Sequence, residues 1–278
     1  MRVVRAENAG ACYGVQRALD LAMSAADGGE GACTLGPLIH NPQVVEDLAA
    51  RGIRAVDDPS EVERGSVIIR SHGVTPEQRR AVEARGLPII DATCPHVARA
   101  QRAAAELARS CACVVVVGEA GHPEVEGLVA YAREAGGRVV VATCAEDLPE
   151  GLPSPVGVVV QTTQRRDAFD AVIAELGRRG AQVEVRDTIC FATSQRQQAA
   201  SKLAAEADAI VVIGGRNSSN TTRLAEICAA SCPRTHHIES ADELAPEWFE
   251  GCGLVGVTAG ASTPESQIAA VVERLESL

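Results

Sequence analysis

The sequence predicts an α/β fold with parallel sheets, because short Val/Ile-rich runs alternate with segments of helical periodicity. Each run is bounded by Gly, Pro or polar residues, which is typical of strands buried on both faces of a parallel sheet. The predicted strands span residues 67–70, 88–90, 113–117, 138–141, 156–160, 209–213 and 254–257.

The segments between these runs carry apolar residues at helical spacing, as helices that pack on a sheet should. Two such stripes are Val15, Ala18, Leu19, Ala22 and Met23 near the N-terminus, and Ala200, Leu203, Ala204 and Ala207 later in the chain. Hydrophobic residues make up 46% of the sequence but aromatic residues only 2%. We therefore expect cores of Ala, Val, Leu and Ile.

A weak internal repeat lies over this pattern. Three segments pass from a strand through a cysteine into a helix, and their cysteines are Cys12, Cys94 and Cys190. The spacings of 82 and 96 residues suit a small βαβ-type unit. The repeat predicts three similar small α/β domains over residues 13–92, 93–187 and 188–278, with residues 1–12 packing on the third.

Composition restricts the possible partners. A net charge of −11 argues against nucleic acid, because a phosphate backbone requires a basic surface. No apolar run approaches transmembrane length, and the first ten residues lack the apolar stretch of a signal peptide. We therefore expect a cytoplasmic protein without a membrane partner, whose ten cysteines stay reduced and form no disulfide framework.

Cys12, Cys94 and Cys190 form the first candidate site. Each lies between a strand and a helix N-terminus, where the positive end of the helix dipole favours the thiolate that ligates metal. From spacing alone, a metal or iron–sulfur site and three ordinary buried thiols are both open. No local CxxCxxC run is present, so a cluster would need cysteines from all three domains.

Polar groups at the other predicted strand ends form the second candidate site. In open α/β sheets, ligands bind at the carboxyl ends of the strands. Imidazoles, hydroxyls and helix N-terminal amides can together bind a multiply charged anion. Simple helix capping is the alternative for any single one of them. The groups are His40, His72, His122, Thr162, Ser218, Ser219, Asn220 and Ser262.

Glu124 is the candidate proton carrier, with Glu126 as its local competitor. Glu124 lies two residues after His122. A carboxyl beside a metal cluster and a bound anion is well placed for acid catalysis. His96, His236 and His237 have no comparable context, and we assign them to structure or surface.

With these motifs in place, the sequence resembles the family of 4-hydroxy-3-methylbut-2-enyl diphosphate reductases, the last enzymes of the non-mevalonate isoprenoid pathway. The resemblance covers essentially the whole chain. Its motifs include Gly10-Ala11-Cys12-Tyr13-Gly14-Val15, Ser71-His72-Gly73-Val74, Gln161-Thr162-Thr163 and the segments 36–41, 91–95, 121–127, 187–190, 217–220 and 258–262.

The resemblance implies a pseudo-threefold α/β trefoil around a central cavity, and one [4Fe-4S] cluster per chain on Cys12, Cys94 and Cys190. It implies that the eight polar residues named above surround an allylic diphosphate, and that Glu124 delivers protons. The expected reaction uses two electrons and two protons to remove the hydroxyl group, and it gives isopentenyl and dimethylallyl diphosphate. No nucleotide-binding GxGxxG loop is present, so electrons should come from an external donor such as ferredoxin or flavodoxin.

Two departures from the family pattern stand out. Ala11 replaces a common Phe, and Arg99 replaces a common Lys. The first affects the packing expected beside the cluster and the second the position of one positive charge on a helix, but neither removes a ligand.

Two other functions stay open. A dehydratase of the quinolinate-synthase type also joins three α/β domains around three cysteines, but it needs no net electron input. A non-catalytic iron–sulfur redox sensor would need a DNA-binding or signalling surface, and the acidic chain shows no basic patch.

Overall fold

The computed structural model describes residues 1–28 and 31–278. Within them, twelve strands alternate with nine α-helices. The strands are β1 (Arg2–Arg5), β2 (Ala32–Leu35), β3 (Ile53–Val56), β4 (Ser66–Ile69), β5 (Ile89–Asp91), β6 (Cys113–Val117), β7 (Val139–Ala142), β8 (Val156–Val160), β9 (Val183–Arg186), β10 (Ala209–Ile213), β11 (Thr235–Ile238) and β12 (Leu254–Ala259). The helices are α1 (Tyr13–Asp27), α2 (Pro42–Ala50), α3 (Pro76–Ala84), α4 (Pro95–Ser110), α5 (Pro123–Glu134), α6 (Arg166–Arg178), α7 (Phe191–Ala204), α8 (Ser219–Ala229) and α9 (Glu265–Glu276).

The described strands form three parallel four-stranded sheets, so the predicted α/β class is confirmed. Their orders are β3-β2-β4-β5, β7-β6-β8-β9 and β11-β10-β12-β1. The same order therefore occurs three times, with the N-terminal strand β1 in the place that β5 and β9 take in the other sheets. Because β1 pairs with β12, the third copy of the repeat is completed by the start of the chain.

The three copies also share a short helical turn and its capping hydrogen bond. A short 3-10 turn follows the second strand of each copy, at Pro59–Glu61, Ala145–Asp147 and Ala241–Glu243. In each turn a carboxylate accepts the backbone N–H of the capping residue: Glu61 accepts from Asp58, Asp147 from Cys144 and Glu243 from Ser240. Equivalent positions in the three copies can therefore be compared residue by residue.

The cores are aliphatic, as the composition predicts. Every residue of the central strands β6, β8 and β10 is buried. In α1, Val15, Ala18 and Ala22 of the predicted stripe are buried as well. A continuous apolar strand is favoured here because helices cover both faces of a parallel sheet.

The chain divides into two compact units. The first unit consists of Met1–Gln16, His40–Gln43 and Phe191–Leu278, and the second of Arg17–Ile39 and Val44–Cys190. The first holds the sheet with β1, and the second holds the other two sheets. The domain boundaries near residues 92 and 187 and the arrangement around a central cavity stay predictions. None of the described helices is both long and apolar enough to cross a membrane.

Candidate active site

The three candidate cluster ligands occupy equivalent places in the repeat. Cys12, Cys94 and Cys190 each directly precede a helix, namely α1, α4 and α7. The backbone N–H of each cysteine donates to a carbonyl just beyond the third strand of its copy, from Cys94 to Ser71 at 2.9 Å, from Cys190 to Thr162 at 3.0 Å and from Cys12 to Ala261 at 3.1 Å. Cys94 and Cys190 belong to the second unit and Cys12 to the first.

The other seven cysteines have structural surroundings instead. Cys144 occupies the capping position of a 3-10 turn. Burial raises the pKa of the Cys228 thiol to about 12, so it stays protonated near neutral pH. The remaining five pack in or against hydrophobic residues and are Cys33, Cys111, Cys113, Cys232 and Cys252.

In the first unit, the N-terminus of α8 carries the predicted Ser218-Ser219-Asn220 run. Ser218 is the N-cap, and its hydroxyl oxygen accepts the backbone N–H of Thr221 at 3.4 Å. Asn220 is 4% exposed, and both polar atoms of its amide lack a hydrogen-bond partner within the described residues. A buried amide without a partner is costly unless a ligand supplies one. Capping therefore accounts for Ser218 but not for the buried amide of Asn220.

His40 and Ser262 lie together in the same unit. The Ser262 hydroxyl donates to the backbone carbonyl of His40 at 3.1 Å. A Cβ built on Gly215, in the loop that leads to α8, would lie 2.7 Å from the same carbonyl oxygen. This close approach brings His40, Ser262 and the loop before Ser218 into one group, as a shared anion site requires.

Three amide side chains hold this group, and of the three the sequence motifs include Asn41 but neither Gln43 nor Gln267. Asn41 Nδ2 donates to the carbonyl of Ser262 at 2.9 Å and to Gln267 Oε1 at 2.9 Å. Gln267 in turn donates to Gln43, whose own amide donates to the carbonyl of Glu239 at 3.3 Å. These contacts join residues about two hundred positions apart, so no local motif could have indicated them.

In the second unit, the rings of His72 and His122 meet edge to face with centroids 5.5 Å apart. His122 is the N-cap of α5, and its Nδ1 accepts the backbone N–H of Glu124 at 3.1 Å. Since Nδ1 accepts, the proton of the neutral ring must be on Nε2. In the neutral ring, the donor nitrogen of His122 is therefore Nε2.

Glu124 is held by a single residue of the neighbouring strand end. Its carboxylate accepts the backbone N–H of Thr162 at 2.6 Å and the Thr162 hydroxyl at 2.8 Å. Glu124 is 1% exposed. Burial raises its pKa to about 7, although the two hydrogen bonds from Thr162 act in the opposite direction. A carboxyl that holds its proton up to neutral pH is suited to donating it.

The neighbouring candidates have different surroundings. Glu126 lies in the same first turn of α5 but is exposed. His236 stacks on Trp248 with centroids 4.1 Å apart, and His237 Nε2 lies 2.8 Å from the carbonyl of Gly214. His96 lies in the first turn of α4.

Comparison with known protein families gives a match along nearly the whole chain. Residues 3–276 match the family model described as LytB protein. A protein of Citrifermentans bemidjiense named 4-hydroxy-3-methylbut-2-enyl diphosphate reductase is 49% identical over 281 residues, covering 100% of this chain and 98% of the relative. One of Geotalea uraniireducens with the same name is 46% identical over 280 residues, with the same two coverages.

Solved structures agree with these relatives. The structure of (E)-4-hydroxy-3-methyl-but-2-enyl diphosphate reductase, described as the terminal enzyme of the non-mevalonate pathway, is 45% identical, covers 99% of both chains and has a TM-score of 0.73. A reductase structure from Plasmodium falciparum has a TM-score of 0.89 at 24% identity, covering 98% of this chain and 86% of that one. The second likeness bears on the fold alone. These relatives carry the family name that the sequence motifs predict.

Proposed function

Because this chain belongs to the LytB protein family, we propose that it reduces 4-hydroxy-3-methylbut-2-enyl diphosphate to isopentenyl and dimethylallyl diphosphate in the cytoplasm. The observation that carries this proposal is the position of Thr162. Its carbonyl accepts the backbone N–H of Cys190, and its hydroxyl and N–H both donate to Glu124. One residue thus links a candidate cluster ligand to a candidate proton carrier.

Cys12, Cys94 and Cys190 would hold one [4Fe-4S] cluster. The donor set fits this cofactor, because thiolates are its usual ligands and all three cysteines directly precede a helix, whose N-terminus favours the thiolate. When bound through three cysteines, a four-iron cluster keeps one iron without a protein ligand, and this iron supplies a Lewis acid and a route for electrons. The electrons would come from an external donor such as ferredoxin or flavodoxin.

The anion-binding residues fix the diphosphate end of the substrate. Asn220 and the amides at the α8 N-terminus offer donors, and a helix N-terminus favours negative charge. His40, His72, His122 and the hydroxyls of Ser218, Ser219 and Ser262 would complete the site. Holding this end in place orients the hydroxyl end, which lowers the entropic cost of the reaction.

Glu124 and Thr162 deliver the proton. The neutral Glu124 carboxyl passes its proton toward the substrate oxygen, which leaves as water. The Thr162 hydroxyl can both donate and accept, so it orients the carboxyl before and after transfer. A buried position keeps bulk water from competing for this proton.

The experiment that tests this function is electron counting. Anaerobically purified protein should contain about four iron and four sulfide ions per chain, as one [4Fe-4S] cluster requires. With substrate and reduced methyl viologen, it should consume two electrons for each molecule of isopentenyl plus dimethylallyl diphosphate. Loss of water from the substrate without electron consumption, and without isopentenyl or dimethylallyl diphosphate, would indicate the dehydratase alternative. A reducible cluster without turnover would indicate a redox sensor.

Asn220→Ala should weaken substrate binding without lowering thermal stability. The amide has no partner within the described residues, so its removal takes no hydrogen bond from the substrate-free protein. Each lost bond to a charged ligand costs about 1.5–3 kcal/mol, or roughly ten- to a hundredfold in Kd. Titration calorimetry with the substrate, before reductant is added, measures the effect.

Asn217→Ala is the matched control, because Asn217 is exposed just before the same helix. Its Kd should equal that of the wild type. If Asn220→Ala bound the diphosphate normally but lowered the melting temperature, the amide would be structural and the anion site would be wrong.

A further inference from the structure

Each of the three candidate cysteines is followed, five or six residues later, by an arginine on the helix that the cysteine precedes. These arginines are Arg17 on α1, Arg99 on α4 and Arg196 on α7. None of them was a candidate site residue from the sequence. The structure shows that all three make the same kind of contact.

Arg17 reaches the loop that carries Cys94. Its Nη1 donates to the carbonyl of Thr93 at 3.3 Å and its Nη2 to the carbonyl of Asp91 at 3.1 Å. Both carbonyls lie within three residues of Cys94. The planar guanidinium of Arg17 therefore spans the turn that presents the cysteine.

Arg99 and Arg196 repeat this contact in the next two copies. Arg99 Nη2 donates to the carbonyl of Asp187, three residues before Cys190, at 3.3 Å. Arg196 Nη2 donates to the carbonyl of Gly10, two residues before Cys12, at 2.7 Å. Arg196 is 3% exposed, and its Nη1 also donates to the carbonyl of Ala192 on its own helix at 2.9 Å. Each of these contacts lies within one of the two units.

We propose that Arg17, Arg99 and Arg196 are positioning residues that form a cyclic set of clamps. The helix that follows Cys12 holds the loop of Cys94, the helix that follows Cys94 holds the loop of Cys190, and the helix that follows Cys190 holds the loop of Cys12. The consequence for cluster retention rests on the proposed function, in which these cysteines bind the cluster. A movement of one ligand loop is then resisted by the helix that follows another ligand.

The three loops differ in how much other support they have. Asp91 Oδ1 accepts the N–H of Thr93 at 3.0 Å, and Asp187 Oδ1 accepts the N–H of Ile189 at 3.1 Å. No aspartate occupies the corresponding place before Cys12, where Asn8 and Gly10 adopt positive φ values of 62° and 104°. In that loop Arg5 Nη2 donates to the carbonyl of Ala9 at 2.8 Å instead. Because its clamp is buried, Arg196 should matter at least as much as Arg17 and more than the exposed Arg99.

The three contacts differ in whether a lysine could replace the arginine. Arg99 is exposed and donates one hydrogen bond to the Cys190 loop, which a lysine ammonium can replace. Arg17 and Arg196 each donate to two carbonyls in a fixed fork, which lysine cannot reproduce. Lysine should therefore be tolerated at position 99 but not at positions 17 and 196.

Hydrogen–deuterium exchange on the anaerobically purified full-length holoenzyme tests the direction of each clamp. Arg17→Met should speed exchange about tenfold in residues 89–94 and leave residues 8–14 unchanged. Arg196→Met should do the same in residues 6–12 and leave residues 186–190 unchanged. Arg99→Met should speed exchange in residues 186–190 by a smaller factor, because the contact that Arg99 makes is exposed. Arg109→Met, an exposed arginine of α4, is the control and should change neither loop.

Release of iron to a ferrous chelator gives the second measurement. Arg17→Met, Arg17→Lys, Arg196→Met and Arg196→Lys should lose iron about tenfold faster than the wild type, whereas Arg99→Lys should match it. Faster exchange beside the variant's own cysteine, or evenly along the chain, would overturn the cyclic assignment. Faster exchange in the expected loops with normal iron release would overturn the role in cluster retention. Serine variants of the cysteines report separately on ligation itself.

Discussion

Serine in place of Cys12, Cys94 or Cys190 should abolish both the iron–sulfur cluster and turnover. A hydroxyl is a poor substitute for the soft thiolate that iron–sulfur clusters require. The three cysteines share one structural position, directly before a helix and with the backbone N–H bonded to the end of the third strand. Loss of any one of them should therefore have the same effect. Iron and sulfide analysis with visible absorbance, on protein purified without oxygen, measures it.

The other seven cysteines provide the controls. Cys144→Ser is the best matched, because Cys144 is also a capping residue at a helical turn and serine is a good cap. Its variant should keep a full cluster and normal turnover. The same result is expected at Cys33, Cys111, Cys113, Cys228, Cys232 and Cys252. Loss of the cluster in any of these seven would mean that the ligands are wrongly assigned.

The strands show which parts of the fold can be predicted from sequence. β6, β8 and β10 were predicted at their observed bounds, because each is a central strand whose five residues are all buried. β3 and β11 were missed, since an edge strand has few buried positions and here carries Arg54, His236 and His237. β2 was missed because its four residues include Cys33 and Thr34 in place of a Val/Ile run.

In the candidate site, too, residues in local sequence patterns could be predicted, whereas residues that act through long-range contacts could not. Groups that end a strand or begin a helix, such as Cys94 and Ser218, lie in local patterns that the sequence displays. Gln43 and Gln267 act through contacts with residues that are far away in the chain, and nothing in their local sequence marks them. A long-range hydrogen bond depends on the packing of whole elements, so it becomes visible only once the fold is known.

The pKa of Glu124 predicts a pH dependence for turnover. Burial raises this pKa to about 7, so the carboxyl is mostly protonated at pH 6 and mostly ionised at pH 8. If Glu124 donates the proton, the wild-type rate should fall as the pH rises through 7, approaching about tenfold per pH unit above it. Rates measured between pH 6 and pH 9 with reduced methyl viologen, on protein with a constant iron content, test this.

Glu124→Gln should lower turnover by about 10²–10⁴, the usual contribution of a positioned general acid. Glutamine keeps the size of the side chain and can still accept from the Thr162 N–H, so cluster content and substrate affinity should stay close to those of the wild type. The residual rate should no longer fall through pH 7, because the titrating group is gone.

Glu126→Gln is the internal control, since Glu126 lies in the same helical turn but is exposed, and the rate of this variant should be nearly unchanged. If Glu126→Gln were slow and Glu124→Gln normal, the two roles would be exchanged. Full activity in both variants would mean that the proton arrives by another route, through the Thr162 hydroxyl and water.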